Sequence, residues 1–275
     1  MKFQKHLFLG LKSYVEAFHF IFANKLWKYF LIPLILFGII FYTGHAFEEI
    51  IKTIQVDIDS EKYSWGIVGK FWLWIKKYFF KLLSFLFLDA TKYLVMILLS
   101  PLLAILSEKT EEILTGKVYK FNLRQLIKDV KRGIGIAIRM LIGEFSIIYL
   151  IWWPMDLIFD FSPFIWQTGV LLIGFYFYGF AYIDYINERL RLSVSESWKF
   201  MKKHAGLAIG IGGIYSLFYK IPSLVNTSNS LTNMILDNFG VLFAPVLVIV
   251  AATIAMHKLV DLNKSKFSVN KNDKK

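Results

Sequence analysis

The chain of 275 residues has no cysteine and few charges. Without thiols it can form no disulfide, no iron–sulfur cluster, no thiolate metal site and no cysteine nucleophile. Charged residues make up 19% of the chain and hydrophobic residues 56%. Soluble domains usually have roughly 25% and 45–50%, respectively. This balance excludes a disordered chain, a collagen or a coiled coil, and it favours a membrane protein.

Motifs for catalysis and cofactor binding are also missing. The sequence has no G-x-x-x-x-G-K-[ST] phosphate loop, and the glycines at 206–213 do not form a dinucleotide fingerprint. No serine lies in a nucleophile elbow, and the five histidines lack the spacing of a metalloprotease site. We therefore predict no enzymatic activity, no metal and no cofactor.

Long apolar stretches are the strongest positive signal in the sequence. Residues 29–47 carry no charge, and residues 82–107 carry only Asp89 and Lys92. As helices rising about 1.5 Å per residue, both are long enough to cross a hydrocarbon layer of about 30 Å. We predict that both are full transmembrane spans.

The second half of the chain predicts two helical hairpins, at residues 134–184 and 205–260. One arm of each hairpin is short or interrupted: residues 140–153 contain Glu144, and residues 205–219 are rich in glycine. Short apolar stretches are more often re-entrant than spanning. The sequence therefore leaves open whether the hairpins cross the membrane or penetrate it only in part.

The two ends of the chain differ in character. Residues 6–23 predict an amphipathic helix on the inner leaflet rather than a signal peptide. Its apolar residues at helical spacing are Leu7, Leu11, Tyr14, Val15, Phe18 and Phe22. Residues 263–275 are basic and polar, and their composition predicts a disordered tail. Residues 1–262 then form a single helical membrane domain.

Lysine and arginine are distributed unevenly among the connecting segments. The segments at both termini and at 107–139 and 185–204 hold 24 of the 32 basic residues. Basic connections stay on the cytoplasmic side, so both termini are predicted to be cytoplasmic. The net charge of +12 then predicts contact with an anionic membrane leaflet. Binding to nucleic acid would require aromatic and basic residues together on a soluble face, whereas here the aromatic residues lie in and beside the apolar stretches.

Three local patterns predict how helices end or pack. Gly116 is expected to stop a helix that includes residues 108–115. Ser193 and Glu196 have the spacing of a capping box at the start of a short surface helix over residues 193–203. Gly206 and Gly210 have the spacing of a close helix–helix contact.

Charged and polar groups near the apolar stretches are candidates for a functional role, because burying them in lipid is costly. Asp89 and Lys92 lie three residues apart and can pair on one helix face, as a structural pair or as part of an ion path. The remaining candidates are Arg139, Glu144, Asp184 and Glu188. For Asp184 and Glu188 the ordinary expectation is a solvated helix end. The polar connection at 222–239 could contact an ion or form a wet loop.

Several short motifs, in order, resemble the CysZ-type sulfate permeases and the related etoposide-induced protein family. They are LWKYFLIPL at 26–34, LSPLLA at 99–104 with SEK at 107–109 and LTG at 114–116, IKDVKR at 127–132, Asp184-Tyr185 with Glu196 and Phe200, Pro222, and APV at 244–246. The resemblance covers most of residues 10–260.

The resemblance implies a helical membrane protein with two full spans, two part-penetrating hairpins and assembly into dimers or larger homo-oligomers. It also implies an oxyanion site at a Gly-Leu-Arg-Arg-type turn, which here is Lys25-Leu26-Trp27-Lys28. Backbone N–H groups and a guanidinium fork would hold sulfate there, but lysines supply charge without a fork. The ordinary alternative for these residues is a span flanked by interfacial aromatic and snorkelling side chains.

The sequence and the resemblance together predict an integral protein of the bacterial inner membrane. Its predicted function is passive permeation of a small, sulfate-like anion. The alternative is an interaction or assembly protein on the same fold that transports nothing. That alternative is motivated by the altered turn and by the charged segment 107–132.

Overall fold

The computed structural model describes residues 2–36, 75, 91–117, 123–224 and 230–260. These residues are helical and include no strand, which confirms the predicted all-α fold. The α-helices described are α1 (Lys2–Ala23), α2 (Thr91–Leu98), α3 (Ser100–Thr115), α4 (Leu123–Ile147), α5 (Trp153–Phe159), α6 (Pro163–Arg189), α7 (Val194–Lys203), α8 (Ala205–Leu224) and α9 (Ser230–Leu259).

The two predicted full spans lie partly outside the described residues. The first begins as a helix over Leu26–Leu36, of which Leu26–Phe30 is a 3-10 turn. The described part of the second is interrupted at Leu99, between α2 and α3. Pro101 has no N–H to donate to the carbonyl of Ile97, and the Ser100 hydroxyl donates to that oxygen instead, at 2.8 Å.

The first predicted hairpin has longer arms than the sequence indicated. Helix is continuous from Val130 to Phe159 and again over Pro163–Arg189, and both stretches are long and apolar enough to cross a membrane. Between α4 and α5 the chain forms one π-helical turn, Ile148–Trp152. Pro154 follows this turn and lacks the N–H that an α-helix would direct at Leu150, so the wider turn keeps the helix continuous.

Only residues 160–162 separate the two arms of this hairpin. Asp160 adopts a left-handed conformation with φ of 49°, and the Asp156 carboxylate accepts the Phe161 N–H at 3.1 Å. Ser162 then caps α6 by accepting the Ile165 N–H, with Pro163 as the first helical residue. These caps satisfy backbone groups at a turn whose neighbours are mostly apolar.

The second hairpin consists of α8 and α9. The expectation of a wet loop over residues 222–239 is wrong for most of that segment, because α8 continues to Leu224 and α9 begins at Ser230. Residues 225–229 lie outside the described residues. The low helix propensity of proline suggests that the helix ends before Pro222. The structure instead includes Pro222 in the last turn of α8, where it does not stop the helix.

Gly206 and Gly210 pack closely on α1, as their spacing predicts. A Cβ on Gly206 would lie 2.3 Å from the Phe3 carbonyl oxygen, and one on Gly210 would lie 2.6 Å from that of Leu7. Further along, the Tyr14 hydroxyl donates to the Ile211 carbonyl. Residue numbers rise together along this contact, so α1 runs parallel to α8.

The opposite side of α8 packs equally closely on α6. A Cβ on Gly212 would lie 1.8 Å from the Phe175 carbonyl oxygen, and one on Gly179 would lie 1.9 Å from that of Ala208. Helices α6 and α8 are antiparallel at this crossing. Since α9 also contacts α1, α6 and α8, these four helices form the centre of the molecule.

Helix α1 includes the predicted amphipathic segment 6–23 and extends it to Lys2. Its small residues face the core, since Gly10, Ser13 and Ala17 are buried. Of the predicted apolar stripe, Tyr14 is buried, whereas Val15, Phe18 and Phe22 are exposed. An exposed row of this kind is what a helix in contact with lipid presents.

Two other local predictions are confirmed. Helix α3 ends at Thr115, and Gly116 follows it with φ of 73°. Ser193 and Glu196 form the reciprocal hydrogen bonds of a capping box at the start of α7. Helix α7 is only partly a surface helix, because Ser197, Phe200 and Met201 are buried. The tail at 263–275 lies outside the described residues.

Candidate functional site

The predicted anion turn connects α1 to the first apolar span. After α1 ends, the Lys25 N–H donates to the Phe22 carbonyl at 3.2 Å, and Lys25 adopts the left-handed conformation with φ of 57°. This conformation costs a non-glycine residue about 1–2 kcal/mol. Lys25 occupies the position at which the resembled motif has glycine, and it adopts a left-handed conformation that glycine tolerates without strain.

The side chains of the turn divide between core and surface. Leu26 is buried and anchors the turn, whereas Lys25, Trp27 and Lys28 are exposed. The 3-10 helix begins at Leu26 with no side-chain cap from Lys25. Lys25 directly precedes the 3-10 helix and Lys28 is its third residue, so two exposed lysines belong to a turn whose first N–H groups favour an anion. The same exposed residues equally fit the flank of a span.

A buried polar cluster joins α4, α6 and α7. The Arg132 guanidinium binds both carboxylate oxygens of Asp184, at 3.0 and 3.2 Å, and donates to the Leu192 carbonyl at 2.6 Å. The Ser197 hydroxyl also donates to Asp184, and Asn187 donates to Ser197 at 2.8 Å. The expectation of a solvated helix end is wrong for Asp184, which is 3% exposed because Arg132 and Ser197 cover it.

Other charges near Asp184 form a second connection. Glu188 lies 3.9 Å from Arg132, at the edge of the same cluster. Arg189 donates to Glu111 at 2.7 Å and so joins α6 to α3. Both arginine contacts are short, partly or fully buried and charge-assisted. They stabilise the packing of helix ends, and they leave Asp184 no free carboxylate face for a transported ion.

Glu144 lies in α4 within the first hairpin and is 2% exposed. The Tyr178 hydroxyl of α6 donates to its carboxyl oxygen at 2.5 Å. Tyr178 in turn lies edge-on to Tyr215 of α8, with ring centroids 5.6 Å apart. Glu144 is thus the residue whose burial and polar partner most closely fit a group inside the membrane. Arg139, by contrast, lies on the exposed side of α4.

The remaining candidate pair cannot be located by contacts. Asp89 lies outside the described residues, and Lys92 lies in the first turn of α2, where its side chain is outside them too. Among the described residues, no group of three histidine, aspartate or glutamate side chains could hold a metal ion.

Sequence reasoning missed a pair of histidines at the start of the second hairpin. The Nδ1 atoms of His6 and His204 lie 3.3 Å apart, and the ring of Phe200 packs on His204 with centroids 4.4 Å apart. Burial lowers the pKa of His204 to about 4, with His6, Lys203 and Lys2 adding repulsion. The pKa of His6 is lowered for the same reasons, first by burial and then by Lys2.

The long apolar helices and the exposed apolar rows are those of a polytopic helical membrane protein. The family model described as sulfate transporter CysZ/etoposide-induced protein 2.4 matches residues 13–226. The chain therefore belongs to this family, whose description is that of a transporter rather than an enzyme. The match includes the turn at Lys25 and the whole first hairpin, and it ends before α9. Comparison with curated proteins gives no match.

Proposed function

We propose that this protein is a passive permease or channel for a small, sulfate-like oxyanion in the bacterial inner membrane. Family membership supports a transporter of this kind. The observation that carries the proposal is the conformation of Lys25, whose φ of 57° is one that glycine adopts readily, at the position where the resembled motif has glycine. The anion would be held by the ammonium groups of Lys25 and Lys28 and by the first N–H groups of the 3-10 helix.

The two lysines predict how selective this site is. A guanidinium presents a planar fork that fits two oxygens of sulfate, whereas an ammonium is a point charge. We therefore expect weaker discrimination among sulfate, phosphate and chloride than arginines would give. The sequence has no phosphate loop, so flux should follow the anion gradient without nucleotide hydrolysis.

The test is anion flux into liposomes that contain only the purified protein. The Lys25→Ala/Lys28→Ala variant should lose most sulfate flux, and Lys28→Arg should raise the preference for sulfate over chloride. The matched control is Lys5→Ala/Lys12→Ala, which removes the same charge from exposed positions on α1. If liposomes that contain folded and inserted protein show no more sulfate flux than empty liposomes, the proposal is contradicted.

The hairpin tip supports partial penetration of the first hairpin. Its large apolar side chains are exposed: Leu157 by 67%, Ile158 by 74% and Phe164 by 78%. Exposure of such a tip to water would be unfavourable, at about 25 cal/mol per Å². We propose that Leu157, Ile158 and Phe164 at the tip lie in hydrocarbon or against a second copy in a homo-oligomer, with both termini in the cytoplasm.

A second candidate is an assembly protein on the same fold that moves no anion. The specific observation in its favour is that the turn has no arginine and that Trp27 stands where the resembled motif has one. In this case the liposomes would show no flux for any anion, and Lys28→Arg would not create one. Capture of partners on residues 107–132 would then be the next measurement.

A further inference from the structure

An apolar cavity of about 260 Å³ lies beside the turn and is formed by α1, the 3-10 helix, α8 and α9. Its walls include Phe18 and Phe22 from α1, Phe30 from the 3-10 helix and Phe218 from α8. Every side chain that lines it is hydrocarbon or aromatic, so it offers no hydrogen bond to sulfate or to any other polar substrate. The cavity is therefore distinct in chemistry from the proposed anion site.

The cavity has an inner wall of packed aromatic and small residues, and its outer side is open. Phe30 stacks on Phe243 with ring centroids 6.1 Å apart and planes within 15°. Gly240 and Ala244, one turn apart on α9, leave the space that larger residues would fill. On the outer side, Phe18 and Phe22 are each more than half exposed, so the cavity opens along the row of α1 that faces lipid.

Two exposed lysines lie in the short segment that connects two walls of this cavity. Lys25 follows Phe22 by three residues, and Lys28 precedes Phe30 by two. Both lysines therefore belong to the segment that joins the α1 wall of the cavity to the 3-10 helix wall. A phospholipid of net negative charge matches this combination, because its acyl chain fits an apolar cavity and its phosphate fits the ammonium groups. The volume is slightly below the roughly 300–1,000 Å³ of sites for drug-sized ligands, which suits part of one hydrocarbon chain and no headgroup.

We propose that this cavity binds one acyl chain of an anionic phospholipid, with Lys25 and Lys28 at its headgroup. The lipid would brace α1 against α8 and α9 at the point where the first span begins. Net negative charge matters because a zwitterionic headgroup already carries a cation beside its phosphate.

The proposal is tested on the purified full-length protein in detergent and without sulfate, so that its outcome does not depend on transport. Dioleoylphosphatidylglycerol is added, or dioleoylphosphatidylcholine for comparison. The readouts are the unfolding midpoint and the lipid adducts seen by native mass spectrometry. Phosphatidylglycerol should raise the midpoint more and be retained more. Equal effects of the two lipids on the wild-type protein would overturn the role of the headgroup charge.

Variants test the contributions of the acyl chain and of the headgroup separately. Ala244→Leu fills the cavity and should abolish retention of both lipids, whereas Lys25→Ala/Lys28→Ala should remove only the preference for phosphatidylglycerol. If Ala244→Leu does not fold, Phe18→Ala at the exposed mouth should weaken retention by roughly five- to tenfold. Phe8→Ala, at an exposed position on the same helix that does not line the cavity, is the control. Wild-type retention by folded Ala244→Leu or by Phe18→Ala would overturn the proposal.

Discussion

At the scale of single residues, charge and burial decide what each polar group can do. Glu144, Asp184 and Glu111 are all nearly inaccessible, and each has a hydrogen-bonding partner on another helix. Lys25 and Lys28 are exposed, the first directly before the 3-10 helix and the second within it. The buried acids therefore hold helices together, and the exposed lysines are free to meet a ligand.

Removing one partner from the Arg132 cluster should be strongly destabilising. Asp184→Ala would leave the guanidinium of Arg132 buried without its carboxylate, at a cost of about 3–5 kcal/mol. The unfolding midpoint in detergent should fall by several degrees or the protein should fail to fold. Lys131→Ala removes a charge from the exposed neighbouring position and should leave the midpoint nearly unchanged. A similar midpoint for the two variants would show that the cluster contributes little.

The histidine pair predicts a pH dependence of stability. Burial lowers the pKa of His204 from its ordinary value of 6.5 to about 4 in the folded protein. Between these values the unfolded state binds more protons, so stability falls as the pH is lowered from about 6.5 to about 4. His204→Gln should reduce this slope in the unfolding midpoint. His19→Gln, at an exposed position on α1, should keep it, and an unchanged slope in His204→Gln would assign the effect to other groups.

Residue-level reasoning from the sequence was successful where the signal is local. The stop at Gly116 and the capping box at Ser193 depend only on neighbours in the chain, and both are confirmed. The pairing of Arg132 with Asp184 spans 52 residues, and no local pattern identifies it. The role of the Lys25 turn stays a prediction.

At the scale of helices, glycine sets which elements approach most closely. Helix α8 has glycines on two sides, Gly206 and Gly210 towards α1 and Gly212 towards α6. The spacing of Gly206 and Gly210 in the sequence indicates a close helix contact, but the identity of the helix that packs there depends on the fold. The breaks at Leu99 and at the π-helical turn were not predicted, since each depends on how one proline is accommodated.

Adding a single methyl group to α8 should separate it from α6. The Cβ of Gly212→Ala would lie 1.8 Å from a backbone carbonyl, which cannot move without shifting α6. We expect Gly212→Ala to lower the free energy of unfolding by roughly 1–3 kcal/mol or more, which would be seen as a lower unfolding midpoint. Gly135→Ala is the control, because its Cβ would meet only the flexible end of Arg139, and alanine favours the helix by about 1 kcal/mol. Equal midpoints for both would contradict the close packing.

At the scale of the whole molecule, the absence of cysteine makes the topology measurable. The variants Lys12→Cys and Ile158→Cys each place one thiol at an exposed position, the first on α1 and the second at the tip of the first hairpin. We expect the thiol at residue 12 to react with a membrane-impermeant reagent only from the cytoplasmic side. The thiol at residue 158 should be protected from that reagent on both sides, because a part-penetrating tip stays in hydrocarbon. Labelling of residue 158 from outside would instead show a hairpin that crosses the membrane.

The parallel contact of α1 with α8 has a consequence for the lysine turn. Three successive contacts, from Phe3 with Gly206 to Tyr14 with Ile211, fix the position of α1 along α8. The position of the Lys25 turn along the axis of the second hairpin is therefore fixed. In the proposed permease, the depth of that hairpin in the membrane would determine how far an anion travels from water before it reaches the two lysines.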